Sequence, residues 1–276
     1  MSGSTAPISN GRGRAFSVVL GHVGLRFATF ALPALPLPGQ ARARRALSTL
    51  DATVDRIIER RPSDRDDVLG RLLAAVDAGA MSRRQLRDEV ITLLFGGYEA
   101  TAHALSWTWY LLDRHPDIGD RVRAEAAAGA PGDTSGLVFT RQVIDEVLRL
   151  YPPFWEVLRS SHEADDVGGY RIPAGASILL VPWLTHRLPE FWSEPDEFRP
   201  DRWADWQPPH RYAHFPFGAG QRLCIGRPLA MLEMQLVVSV LGREFRPRLV
   251  NGQRVRAHAQ STLRSGRGIR MTLTHA

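Results

Sequence analysis

"HFPFGAGQRLCIGRP", residues 214–228, holds the chain's single cysteine, and the fold turns on how that residue is read. A lone cysteine in a reducing compartment is ordinarily a small buried apolar residue. Cys224, however, lies just ahead of "PLAMLEMQLVVSVLGREF", an apolar helical run with Pro228 suited to its first turn. The dipole and free N–H groups of such a helix start favour a thiolate, the form in which sulfur ligates a metal. Gly218, Gly220 and Gly226 remove side chains where a flat ligand needs close backbone approach. Phe217 can lie against the sulfur, and Arg222 places a cation two residues away. The stretch reads as a socket for a metal-bound sulfur beneath a large planar cofactor.

At Phe217, Gly218, Arg222, Cys224 and Gly226 the stretch resembles the heme-binding signature of the cytochrome P450 superfamily, in the style of its soluble bacterial members. That resemblance implies heme b (iron protoporphyrin IX), with iron bound through Cys224, and thiolate electron density that favours O–O cleavage. "EVLR" occurs twice, at 146–149 and 156–159, and as an isolated pattern it is a solvated helix pair. The first copy is helical and runs into "LYPP", as the family's does. The resemblance assigns Glu146 and Arg149, with Arg202 of "FRPDRW", to a buried ion network supporting the heme loop, and gives Arg159 a heme propionate. "GGYEAT", 96–101, is similar to the family's oxygen-side motif. Gly97 and Glu99 match it, but Ala100 stands where an alcohol is expected and Thr101 comes one residue late. One helical step turns a side chain by about 100°, so Thr101 needs a local bulge to take over. Glu99 with Thr101 or a substrate hydroxyl as proton relay, and the small residues Gly97 and Ala100, complete the oxygen side that the resemblance implies.

Outside these motifs the chain is ordinary. Its 276 residues are 44% hydrophobic and 23% charged, enough for one large domain with a core. All 35 basic residues are arginine, and one cysteine excludes an internal disulfide. The net charge of +6 comes from arginines scattered among acids, with only Arg42, Arg44 and Arg45 clustered. There is neither zinc-finger spacing nor a basic-aromatic run, so an acidic protein partner or simple solubility explains the charge at least as well as nucleic acid. The apolar stretch 15–39 is interrupted by His22 and Arg26, broken by three prolines, and too short to span a bilayer. A cytoplasmic protein with no membrane anchor is expected.

Residues 1–14 read as a disordered tail, and 15–276 as the C-terminal portion of a single P450 domain. Helical periodicity is expected over 41–61, 66–79, 82–115, 118–128 and 140–151. "VGGYRIPAGASILLVPWL", 167–184, carries two β-prone runs separated by Pro-Ala-Gly, a hairpin-like signal. The prolines of 189–216 predict a meandering loop, and the C-terminus short strands. The fold class is mainly α with a small β annex.

"LPLPGQARARRALSTLDATVDRIIERR", 35–61, resembles the roof over the substrate pocket in members acting on fatty acids or terpenoids. The long N-terminal portion of the family has no counterpart, which implies a truncated form with exposed apolar surface. The expected function is a heme-thiolate monooxygenase that inserts one oxygen atom from O2 into a lipophilic substrate, with electrons from a ferredoxin or flavoprotein. Two alternatives stand beside it: a non-catalytic heme-binding or remnant protein with an open pocket, and a chain that binds no heme and keeps Cys224 as a structural residue.

Overall fold

The computed structural model describes residues 38–60 and 66–275, together with 18, 19, 21 and 22. The expected tail over 1–14, and nearly all of the stretch 15–39, lie outside the described residues. The chain forms two compact units, with the division between Tyr98 and Glu99.

In the first unit, helix α1 (Gln40–Glu59) buries Ala46, Leu50 and Val54. These recur every four residues and so share one face. Helix α2 (Val68–Asp77) starts where the Asp67 carboxylate accepts the Gly70 N–H at 2.8 Å. It ends at Gly79, which takes φ +72°. Val54, Leu86 and Val90 make a small core with Leu69, Leu72 and Leu73. Ser82 and Gln85 cap one another: the Ser82 hydroxyl accepts the Gln85 N–H, and the Gln85 side chain accepts the Ser82 N–H. From that cap helix α3 (Arg83–Arg114) runs as a continuous α-helix of 32 residues across the unit boundary.

The second unit holds the larger core. Pro116 ends α3 and also opens α4 (Pro116–Ala128), where its missing N–H costs nothing. Helix α5 (Val138–Leu150) has its first N–H groups capped from a neighbour, since Glu125 accepts from Phe139 N, Thr140 N and the Thr140 hydroxyl. It stops ahead of Pro152 and Pro153, which disfavour helical backbone at the residue before them. Helix α7 (Arg227–Glu244) packs against α4 and α5. Trp107, Val143, Val147 and Val238 occupy one part of this core, and Ala104, Ile144, Met231 and Met234 the other.

Among the described residues the β annex consists of four two-stranded antiparallel sheets. Strand β1 (Val157–Ser160) pairs with β4 (Ser177–Leu180), and β2 (Asp165–Val167) with β3 (Tyr170–Ile172). The hairpin-like expectation for 167–184 is therefore corrected: β3 and β4, the two runs flanking Pro-Ala-Gly, pair with different strands. The reason is Gly168-Gly169, both at positive φ, which closes a two-residue turn that claims β3 first. Strand β5 (Phe245–Leu249) pairs with β8 (Met271–His275), and β6 (Ala257–Ala259) with β7 (Leu263–Ser265). Within 189–216 the chain meanders as expected, broken by a 3-10 turn at Pro200–Trp203.

Trp107 ties the annex to the helices. It is buried, stacks on Tyr151 at 4.1 Å, and donates its indole N–H to the Leu263 carbonyl at 3.2 Å. Trp107→Ala should lower unfolding free energy by about 3–5 kcal/mol. Trp107→Phe should lose less while loosening β7, and urea titrations of the three proteins check both statements.

Candidate functional site

The glycines of 214–228 let the backbone fold back on itself. Gly218 and Gly220 have φ +73° and +68°, conformations that side chains rarely adopt. The Gly218 N–H donates to the Phe215 carbonyl at 3.0 Å, and the Cys224 N–H to the Phe217 carbonyl at 3.0 Å. A 3-10 turn, Gly220–Arg222, crosses between them. The Phe217 ring sits against the core cluster of Ala104, Ile144 and Met231, so the loop is anchored from beneath. Cys224 itself is exposed. The ordinary expectation for a lone cysteine, burial among apolar side chains, does not hold, because this loop pins the residue by its backbone and leaves the sulfur outside the core. Gly226 follows as the N-cap of α7, with Arg227 and Pro228 in the first turn.

Glu146, Arg149 and Arg202 meet. The Arg149 guanidinium grips Glu146 with two bonds, Nε to Oε2 at 2.9 Å and Nη2 to Oε1 at 2.8 Å. Its remaining donors reach the carbonyls of His186, Pro195 and Glu197, so all five N–H groups are used. Glu146 also accepts from Arg199 N, Arg202 Nε and Trp203 Nε1. The Glu146 and Arg149 side chains are 0% exposed and that of Arg202 8%. The second "EVLR" makes no such pair. It lies at strand β1, where residues three apart point to opposite faces, and Arg159 donates to the Leu158 carbonyl.

Gly97 falls in the first unit, whereas Glu99, Ala100 and Thr101 open the second. The helix shows no bulge at these residues, so Ala100 shares a face with buried Ala104 four residues on, and Thr101 with Leu105. Glu99 Oε1 lies 3.3 Å from His103 Nε2, while Oε2 is buried without a hydrogen-bond partner among the described residues. His103 was not singled out by the sequence pattern, although its spacing of four from Glu99 was the available signal. Arg222 is exposed, as are Arg211 and Arg227; Arg211 donates to the Tyr212 hydroxyl, and Arg227 lies 5.9 Å from the Phe217 ring centre.

Residues 22–267 match the family model described as Cytochrome P450. The chain belongs to the cytochrome P450 family. It is 37% identical over 253 residues to cyclooctatin synthase of Streptomyces melanosporofaciens, covering 86% of this chain and 55% of that one. Pentalenene oxygenase of Streptomyces avermitilis is 34% identical, over 95% of this chain and 61% of its own. Retinoic acid bound cyanobacterial CYP120A1 superposes with a TM-score of 0.84 at 30% identity, over 99% of this chain and 65% of that one. The chain spans about half the length of the curated P450 relatives it matches. Among the described residues no helix is long and apolar enough to cross a membrane.

The donor set of this P450 chain fits an iron macrocycle. Among the described residues no three His, Cys, Asp or Glu side chains gather to hold a metal. Cys224 is an exposed sulfur, a donor of the kind that the heme-thiolate cofactor implied by the family would use. Around the open sulfur the backbone stays bare at Gly226, where an added Cβ would stand 3.7 Å from Sγ. Leu223, Ile225 and Leu229 are exposed beside it, Ile225 to 91%.

Two histidines lie behind the loop. Burial pushes His186 down from 6.5 to about 3, and burial also holds His214 well below its ordinary value. The His214 Nε2 and the Trp192 indole N–H are both sealed off without partners among the described residues.

Two outcomes follow from this geometry. Glu146→Ala leaves Arg149 buried with no counter-charge, and should cost about 3–5 kcal/mol in chemical denaturation, as expected for one partner of a buried pair. Glu146→Gln should recover only part of that loss. Both histidines are neutral when folded and take a proton on unfolding below their ordinary value of 6.5. Stability is therefore complete above about 6.5 and drains as pH falls toward about 3, by at most about 1.4 kcal/mol per pH unit for each histidine. Melting at pH 7.5 and 5.5 should show this slope, and His214→Phe should remove about half of it.

Proposed function

We propose that this P450 chain supplies the heme-thiolate half of a monooxygenase, with Cys224 as the residue that would hold the iron of heme b and a lipophilic molecule, a fatty acid, terpenoid or similar compound, as substrate. The observation that carries the reading is the cysteine loop: a solvent-open sulfur, backbone-pinned on both sides and set at the start of α7. Relatives named as an oxygenase and as a cyclooctat-9-en-7-ol 5-monooxygenase support the reaction type. A structural neighbour described as retinoic acid bound supports a lipophilic substrate. When bound, heme supplies the activation of O2, which no side chain can perform.

The residues of this chain then have definite tasks. Phe217, Gly218 and Gly226 shape the floor beneath the cofactor, and the α7 N-terminus stabilises the thiolate. Arg159 and Arg222 are the arginines suited to propionate carboxylates, where a guanidinium fork bonds both oxygens. The Glu146–Arg149–Arg202 cluster holds the meander that delivers the loop. On α3, Gly97 and Ala100 leave space for O2, and Glu99 moves protons from its buried Oε2, assisted by Thr101 or a hydroxyl on the substrate. Alanine can neither donate nor accept, so protons that reach Ala100 go no further by side chain. Exposed Arg211 and Arg227, joined by Arg222 only where no propionate takes it, offer an acidic ferredoxin or flavoprotein a docking charge that weakens with salt.

A second reading has heme bound in an open pocket without turnover; Ala100, which stands where the family's oxygen-side motif has an alcohol, is the residue that favours it. Spectra and product analysis separate the two. Reduced under carbon monoxide, the parent protein should show the long-wavelength Soret band of thiolate ligation, and Cys224→Ser should abolish it. A band that persists in Cys224→Ser removes this residue as ligand. A band without any oxygenated product, across a panel of fatty acids and terpenoids with an acidic ferredoxin as donor, selects the second reading.

A further inference from the structure

His186 has no place in the motifs, yet it touches both the ion cluster and the cysteine loop. It caps α6 (Pro182–Thr185), donating its backbone N–H to the Pro182 carbonyl at 2.8 Å. Its own carbonyl accepts from Arg149 Nη1 at 2.9 Å. On the ring, Nε2 lies 2.9 Å from the Phe215 N–H and Nδ1 lies 3.3 Å from the Arg149 carbonyl. The backbone amide can only donate, so Nε2 must accept and the ring proton must sit on Nδ1, pointing at Arg149. One tautomer satisfies both contacts. The imidazolium would present an N–H to the Phe215 N–H, and full burial keeps the ring neutral.

Phe215 is the next link. Its carbonyl accepts the Gly218 N–H, and the loop so closed returns as the Cys224 N–H to the Phe217 carbonyl. We propose that His186 is a positioning residue, a neutral strut that transmits the fixed place of Arg149 on α5 through Phe215 to the loop carrying Cys224. Edge-on contact between the His186 and Phe215 rings, at 5.4 Å, keeps the strut from pivoting. The guanidinium of Arg149 fixes the helix to the meander, and the imidazole fixes that assembly to the start of the loop at Phe215, a polar tie beside the apolar seat of Phe217 against Ile144. The positioning of the loop stands whether or not iron binds, while its value for ligation rests on the function proposed above.

Backbone amide exchange on the 276-residue chain tests the strut. His186→Asn places an amide near Nδ1 and keeps the Arg149 contact, but cannot reach Phe215. His186→Gln places an amide oxygen near Nε2 and keeps the Phe215 contact. In His186→Asn the Phe215, Gly218 and Cys224 amides should exchange on the order of 10–100-fold faster, the value of one lost buried hydrogen bond, while Val147 and Leu148 on α5 keep the parent rates. In His186→Gln the loop amides should stay near the parent. Three results overturn the proposal: unchanged loop exchange in His186→Asn, loop and α5 amides rising together, or His186→Gln as loose as His186→Asn. Should His186→Asn not fold, His186→Gln decides alone, parent-like loop protection supporting the strut and a loosened loop over an intact α5 refuting it. Heme retention, measured in parallel, reports separately: a parent that binds no heme defeats the proposed function and leaves the exchange result to judge the strut.

Discussion

One carboxylate organises the second unit. Glu146 is fully buried and accepts five hydrogen bonds, from Arg149, Arg199, Arg202 and Trp203. A buried ion is tolerable only when neighbouring donors replace the water it has lost. Here those donors come from α5 itself and from the 3-10 turn more than fifty residues later, so the charge can be satisfied only if the meander closes over the helix. Arg149 has the mirror problem and solves it with three carbonyls from 186–197. The pair makes an otherwise irregular, proline-rich segment take one course, and register of this kind is the best attested use of buried ions.

That course determines where the cysteine loop begins. Residues 214–217 follow directly on the meander, so a misplaced meander displaces Phe217 from its seat against Ala104 and Met231. Inside the loop the constraint changes in kind. Left-handed glycines and backbone hydrogen bonds give the shape, and the apolar contact of Phe217 gives the anchor. Sulfur is left out of the core, open to whatever binds above it. Electrostatics set the approach, steric freedom the turn, and packing the height.

Glu-x-x-Arg appears twice in the sequence with identical letters, Glu-Val-Leu-Arg, and the two copies have opposite fates. On α5 a spacing of three brings both side chains to one face, where they bond. In β1 the same spacing separates them, and Arg159 turns to a carbonyl instead. The helical periodicity ahead of the first copy and the "LYPP" stop were enough to tell them apart. The helices were legible for the same reason, because caps at Asp67 and Ser82 and stops at Gly79 and Pro152 are local chemistry. Strand partners were not. Gly168-Gly169 and Pro-Ala-Gly are both plausible turns, and the choice between them depended on β1, which lies ten residues upstream.

By itself the sequence determined the cysteine, the glycines around it, the helix behind it, and the identity of the carboxylate and arginines of the ion cluster. The cysteine loop and its helix are patterns within a few residues, whereas the ion cluster, whose Arg202 lies far along the chain from Glu146, was assigned through the resemblance alone. Tertiary structure alone decided what those groups touch. That His186 faces Arg149 and Phe215, and that the Phe217 ring seats against Ala104, Ile144 and Met231, are consequences of segments many residues apart meeting. No periodicity encodes such meetings, because a hydrogen bond between distant segments is specified by the packing of everything that lies between them.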